Sequence, residues 1–197
     1  MLARLKRETQ ALRASADEGR LEPLHTTATV ASYATYLSRI YGFEAPIEAA
    51  FLGTRDLAHV VDLRWRPQVR LLKSDLMALG IVDPTRLPTT SVPRFATVAE
   101  ALGWMYVSEQ NTILHGQLHR HFARWIPDEL VAAGCYLVGV ERVAGTRLDD
   151  LGSILDLYAT RPEIATKIVD AACTAFRRQR LWFLKSLPLE VSRDVAR

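Results

Sequence analysis

The sequence predicts an all-α fold, a single-domain multi-helix bundle over residues 1–197. Three observations point to it. Apolar residues recur at helical spacing along nearly the whole chain, alternating strand patterns are scarce, and there is no internal repeat or low-complexity tract. A chain of 197 residues with 49% hydrophobic and 24% charged content suits one domain with a substantial buried core.

The elements follow in order. Leu2, Leu5, Thr9 and Leu12 share one face of a first helix, which Gly19 is expected to stop. Pro23 then breaks the pattern, and the threonines after it offer N-caps. A second segment places Val30, Tyr33, Leu37, Ile40, Ile47 and Phe51 at helical spacing up to Gly53, with Pro46 expected to bend or divide it. A shorter helix is expected through Leu57, Val60 and Val61. Pro67 suits the first turn of the next, whose apolar face is Val69, Leu72, Leu76 and Leu79 and which ends at Gly80. Residues 81–95, with Pro84, Pro88 and Pro93, read as a loop with one helical turn at most. Thr97, with Glu100 three residues on, forms a capping box for a long helix expected to reach Phe122. Helices near Asp128–Val140 and Leu148–Tyr158 follow. The last begins at about Pro162, with Ile164, Ile168, Ala172, Ala175, Phe176 and Leu184 on or near its buried face. The total is seven or eight helices.

Charge and cysteine content narrow the function classes. The net charge of +3 is dispersed, without the dense basic stripe of a nucleic-acid binder. Two local clusters, Arg64-Trp65-Arg66 and Arg177-Arg178-Gln179-Arg180, read as solvated faces or as partners for a carboxylate or phosphate. Cys135 and Cys173 lie in apolar stretches, as buried free thiols do, and a reducing cytoplasm is the expected setting. The opening MLARLKRETQALRASADEGR lacks the apolar core of a signal peptide, and no 18-residue apolar run predicts a membrane span.

The chemistry concentrates in YVSEQNTILHGQLHRHF, Tyr106 to Phe122. His115 and His119 are four apart, on one helix face at metal-ligand spacing. No His-Glu-x-x-His pattern and no nearby cysteine accompany them. Three readings stay open: polar or surface imidazoles, His115 facing a ligand cavity and binding iron, or a non-haem metal site. For the last, Glu44, Glu48, His59, Glu109, His115 and Asp170 are candidates, without the spacing of helical diiron proteins. His121 is expected to be exposed, His25 to sit in a water-facing loop, and His59 on a short surface helix.

Four segments resemble the haem oxygenase family, especially its compact bacterial members. LKRETQALR (Leu5 to Arg13) resembles the opening pattern Leu-Arg-x-x-Thr-x-x-x-His, and YATYLSRIYGFEAPIEAAF (Tyr33 to Phe51) the second helix. LGWMYVSEQNTIL (Leu102 to Leu114) is similar to Leu-Gly-x-Leu-Tyr-Val-x-Glu-Gly-Ser-x-Leu-Gly, and AACTAFRRQRLWF (Ala171 to Phe183) to the final helix. The resemblance implies haem sandwiched between the opening helix and a glycine-bent distal helix. It also implies a histidine of the opening helix on the iron, basic residues on the propionates, and conversion of haem to biliverdin, carbon monoxide and iron with electrons from a reductase or ferredoxin.

The departures fall where that chemistry belongs. Arg13 stands where the resemblance puts the ligand histidine, and a guanidinium has no lone pair for iron. Gln110-Asn111 replaces Gly-Ser, and Leu114-His115 replaces a small pair that lets haem lie against backbone. A buried Arg13 needs an anion: a propionate, another carboxylate, or Glu109 across the cavity. Arg177, with Arg178 and Arg180, matches the region that holds propionates. The candidate ligand-binding residues are therefore Arg13, Glu109, Gln110, Asn111, Leu114, His115 and Arg177, with His115 as the candidate metal ligand and haem as the implied cofactor. The expected function is a divergent member that binds a tetrapyrrole or other acidic small molecule, its haem-degrading activity impaired or lost. The alternative is an active haem oxygenase in which His115 or His25 replaces the missing ligand.

Overall fold

The computed structural model describes residues 1–66 and 68–184. Among them are eight α-helices and no strand: α1 Leu2–Arg20, α2 Val30–Leu52, α3 Val69–Ala78, α4 Val98–Thr112, α5 His115–Trp125, α6 Pro127–Ala133, α7 Cys135–Tyr158 and α8 Pro162–Leu184. Short 3-10 turns cover Glu22–His25, Leu57–His59, Leu63–Trp65 and Pro84–Arg86. Pro67, expected in the first turn of α3, lies outside the described residues, as do residues 185–197 of the expected domain.

The centre of the bundle is α4, in which every residue except Glu100 is buried. It runs in the same sense as α8 and α1: Gly103 meets Ile168 and Asn111 meets Gln179, while Arg4 reaches Thr166 and Gly19 approaches Phe183. A Cβ on Gly103 would lie 2.4 Å from the Ile168 carbonyl oxygen and 2.6 Å from the Ala171 Cβ, so the α4–α8 crossing requires glycine there. On the other sides α2 and α7 run antiparallel to α4. Glu44 faces Ser108 while Phe51 packs through Phe95 to Trp104, and Arg147 faces Glu109 while Tyr136 packs on His115. One apolar cluster draws side chains from all eight helices.

Local signals explain several boundaries. The Thr97 hydroxyl accepts from Glu100 N–H, while the Glu100 carboxylate accepts from Ala96 N–H rather than from Thr97 itself. Thr29 and Ser32 form a full reciprocal cap on α2. Two helices are capped from a distance. Glu48 of α2 accepts from the N–H groups of Gln68 and Val69 at the start of α3. Asp75 of α3 accepts from Cys135 and Tyr136 at the start of α7. Each carboxylate lies where orphan amides and the helix dipole favour negative charge.

Several expectations need correction. Pro46 sits within α2, which continues through it as one element. The segment 57–61 forms only a 3-10 turn at Leu57–His59. The division between the sixth and seventh helices falls at Gly134, not between Val140 and Leu148. Cys135 is exposed and Cys173 half-buried. His121 is half-buried against Phe122, with its Nε2 out of solvent. The long helix through residues 97–122 is broken at Ile113–Leu114. There the Thr112 hydroxyl donates to the Glu109 carbonyl, and Ile113 N–H turns to Gln110, three residues back. Such back-bonding diverts a carbonyl from the helical ladder and bends helices.

Candidate ligand-binding site

Ser108-Glu109-Gln110-Asn111-Thr112 are five consecutive polar residues, all buried at the core of the bundle. Successive side chains on a helix point about 100° apart, so this short run addresses all of the helices around α4. Ser108 Oγ donates to Glu44 Oε2 of α2 at 2.9 Å. Asn111 Nδ2 donates to Gln179 Oε1 of α8 at 3.0 Å. Arg20 of α1, fully buried, donates from Nη1 to the Asn111 carbonyl at 3.2 Å and from Nη2 to Asp17 at 2.8 Å.

Glu109 is the charged centre of this layer. Its Oε1 accepts from Arg66 Nη1 at 2.5 Å and from Arg147 Nη2 at 2.9 Å and Nε at 3.2 Å. Arg66 also holds Asp150 at 2.6 Å, and Arg147 donates to the Arg66 carbonyl. The other oxygen of Glu109, Oε2, is buried and has no hydrogen-bond partner among the described residues. Glu109 also lines a small recess. Its polar lining is Glu44, Glu48, Ser108, Glu109, Arg66, Arg147 and Gln68, and its apolar wall includes Phe51, Leu63 and Met105, with the exposed Leu52 at the rim. Burial pushes the Glu44 carboxyl up to about 7, against the opposite pull of the Ser108 and Asn111 hydrogen bonds.

The break after Thr112 brings in the second titratable group. His115 opens α5, fully buried, its ring centroid 4.7 Å from that of Tyr136. Neither ring nitrogen has a hydrogen-bond partner among the described residues. Burial, reinforced by the charges of Arg20 and Arg147, drives its pKa down to about 3, so the imidazole is neutral.

The structure divides the residues expected to share a site. Glu109 lines the recess, while Gln110, Asn111 and His115 lie buried in the same polar layer, and neither polar side-chain atom of Gln110 has a partner among the described residues. Leu114 is only half-buried and Arg177 is exposed, away from any described partner of the layer. Arg13 keeps a 33% exposed side chain and pairs with Asp17 of its own helix at 3.6 Å, not with Glu109. The buried arginine of α1 is Arg20, seven residues further along the same helix. Arg66, in a cluster expected to be a solvated face or to meet a carboxylate or phosphate, is buried and paired with Glu109 and Asp150, and Gln179 of the other cluster is buried too. His25 and His59 are exposed, and so is Asp170. Among the described residues no three His, Cys, Asp or Glu side chains converge to hold a metal ion.

Sequence reasoning missed Arg20 and Arg147, although each carries a local signal. Arg20 falls in register with Leu5, Thr9 and Ala16, and Arg147 with Val140, Ala144 and Leu151, so each is a cation on an otherwise buried stripe. Such a residue requires a buried partner.

A haem lying between α1 and the α4–α5 break does not fit these residues. Arg20 occupies that junction, bridging α1 directly to the Asn111 backbone. The His115 ring is packed on Tyr136, and no imidazole is among the residues that line the recess. No family model matches the chain, and no curated protein matches it. No described helix is long and apolar enough to cross a membrane.

Proposed function

We propose that this chain is a small-molecule-binding protein of haem-oxygenase-like architecture in which the haem-degrading chemistry is lost, and that its ligand enters the recess beside Glu109. The resemblance in four ordered segments supports the architecture. The observation that carries the loss of chemistry is the α1–α4 junction, where Arg20 bridges the two helices and Arg13 offers no lone pair. A mostly apolar wall with a few convergent polar groups is the ordinary make-up of a ligand site. An acidic ligand, expected from the sequence, meets two arginines already engaged by Glu109 and Asp150.

Haemin titration followed by the Soret band, then addition of a reductant and measurement of biliverdin, tests this reading. The expected result is no saturable one-to-one Soret change and no biliverdin. Stoichiometric biliverdin would overturn it. Loss of that activity in His115→Ala or His25→Ala would then identify the replacement iron ligand, and a reductase or ferredoxin would become the partner to seek.

A further inference from the structure

We infer that the recess beside Glu109 takes a small organic cation with an apolar stem, an alkylammonium-like ligand whose N–H donors meet Glu109 Oε2. This rests on the reading of the recess as a ligand site and names the chemistry of that ligand. The argument begins with an asymmetry. One oxygen of Glu109 accepts three bonds from two guanidiniums, while the other, on a side chain 1% exposed, accepts none from the described residues. Buried polar atoms are ordinarily hydrogen-bonded, so such an oxygen marks a place for a further donor. Gln68, 4% exposed and lining the same recess, holds a second oxygen without a partner among the described residues.

The charge lining the recess has the same sense. Glu44, Glu48 and Glu109 face Arg66 and Arg147, and Asp150 takes up part of Arg66 from behind. Carboxylates therefore outnumber cations once Glu44 is ionised. A bare metal ion suits this lining poorly, because no three potential ligands converge among the described residues. An ammonium needs only donors aimed at separate acceptors, and its stem would lie on Phe51, Leu63 and Met105. The rim residue Leu52, 73% exposed, extends that apolar surface outward.

Calorimetric titration of the full chain with n-butylammonium, n-butanol and butyrate tests the inference, since the three share a stem and differ in the head group. Butylammonium is expected to bind. Butanol is expected roughly tenfold more weakly, because charge-assisted hydrogen bonds are about twice as strong as neutral ones, and butyrate not measurably. Affinity for butylammonium should rise from pH 6 to pH 8 as Glu44 gains its charge, with Glu48, Glu109, Arg66 and Arg147 as the other charged groups around the ligand. Glu109→Gln should abolish binding. Because that variant disturbs the buried arginines, Leu52→Lys supplies a second test: a tethered ammonium at an exposed rim position, expected to weaken the probe while leaving the fold unchanged. Butanol binding as tightly as butylammonium, or butyrate binding alone, would overturn the cation inference and leave the recess as a ligand site. Binding of none of the three would overturn both.

Discussion

Residues Val98–Val107 and Ser108–Thr112 belong to one helix and are almost equally hidden from solvent, yet they are held in place by different means. The first stretch packs by shape. Gly103 lets α4 lie on the backbone of α8, Trp104 meets Phe95, and Tyr106 sets its ring edgewise to Phe176 at 6.3 Å. The second stretch is held by named partners on α1, α2, α7 and α8 and on the segment before α3. Apolar burial is non-directional and tolerates many neighbours. Polar burial is favourable only where a group finds its counterpart, and a buried group without one costs stability. The difference separates a region that makes the bundle stable from one that makes it particular.

The comparison breaks most sharply at Glu109. Removing one member of a buried ion pair costs about 3–5 kcal/mol, because the remaining charges stay buried without compensation. Among the described residues Glu109→Ala leaves Arg147 without a carboxylate and Arg66 with the exposed Asp150, so denaturant unfolding should show a loss in that range. Replacing Arg66, Glu109 and Arg147 together by Met should recover most of it, since apolar residues of similar volume often substitute for buried ions without loss. A triple variant as unstable as Glu109→Ala would mean that packing, not charge, dominates this end of α4.

The same division decides what could be read from the sequence. The helices themselves were legible, because a 3.6-residue apolar period is a local property: α8 begins at Pro162 and α4 is capped by Thr97, as expected. Thr97 announces its helix within three residues, and so does Thr29. The caps on α3 and α7 were not legible, since they come from Glu48 and Asp75, about twenty and sixty positions away. The break at Ile113–Leu114 depends on a single hydroxyl choosing a carbonyl, which the apolar pattern does not record. Of the candidate site, the run around Glu109 was recognisable as unusual. Its partners were not, because pairing across helices leaves no trace in spacing along one of them.

A pair of titrations sharpens the comparison. The Glu44 carboxyl, raised by burial to about 7 from an ordinary 4.5, binds a proton more readily folded than unfolded. Its contribution is full below about 4.5 and is lost as pH rises to 7. His115, lowered by burial to about 3 from 6.5, has the opposite effect. The unfolded imidazole takes a proton that the folded one refuses, so its contribution is full above 6.5 and is lost as pH falls to 3. Between pH 4.5 and 6.5 the two slopes oppose each other, one proton against one. Unfolding free energy should show no net slope from this pair there. In Glu44→Gln it should fall on acidification by about 1.4 kcal/mol per pH unit, and in His115→Leu it should fall by a similar amount per unit as pH rises. Equal profiles in the two variants would show that neither group titrates as its surroundings dictate.

The smallest effect is expected at Arg13. Leu5, Thr9 and Ala16 define the buried stripe of α1, and a step of about 100° per residue sets Arg13 at the edge of that stripe, with Arg20 further in. The Arg13 side chain is a third exposed, and its partner Asp17 lies on the same helix four residues on. Pairs of this kind contribute about 0–1 kcal/mol. Arg13→Ala should therefore leave thermal unfolding nearly unchanged. Arg20→Ala should be severalfold more damaging, because it strips a buried guanidinium from the Asn111 carbonyl and leaves Asp17 half-buried beside it. Arg13→His restores an imidazole at the position the haem oxygenase pattern assigns to the ligand, but Arg20 still spans the junction where a porphyrin would lie. The single change should leave the Soret response to haemin as it is in the parent chain. A strong new Soret band in Arg13→His alone would show that α1 can leave α4 at low cost, and that the Arg20 bridge is weaker than its burial implies.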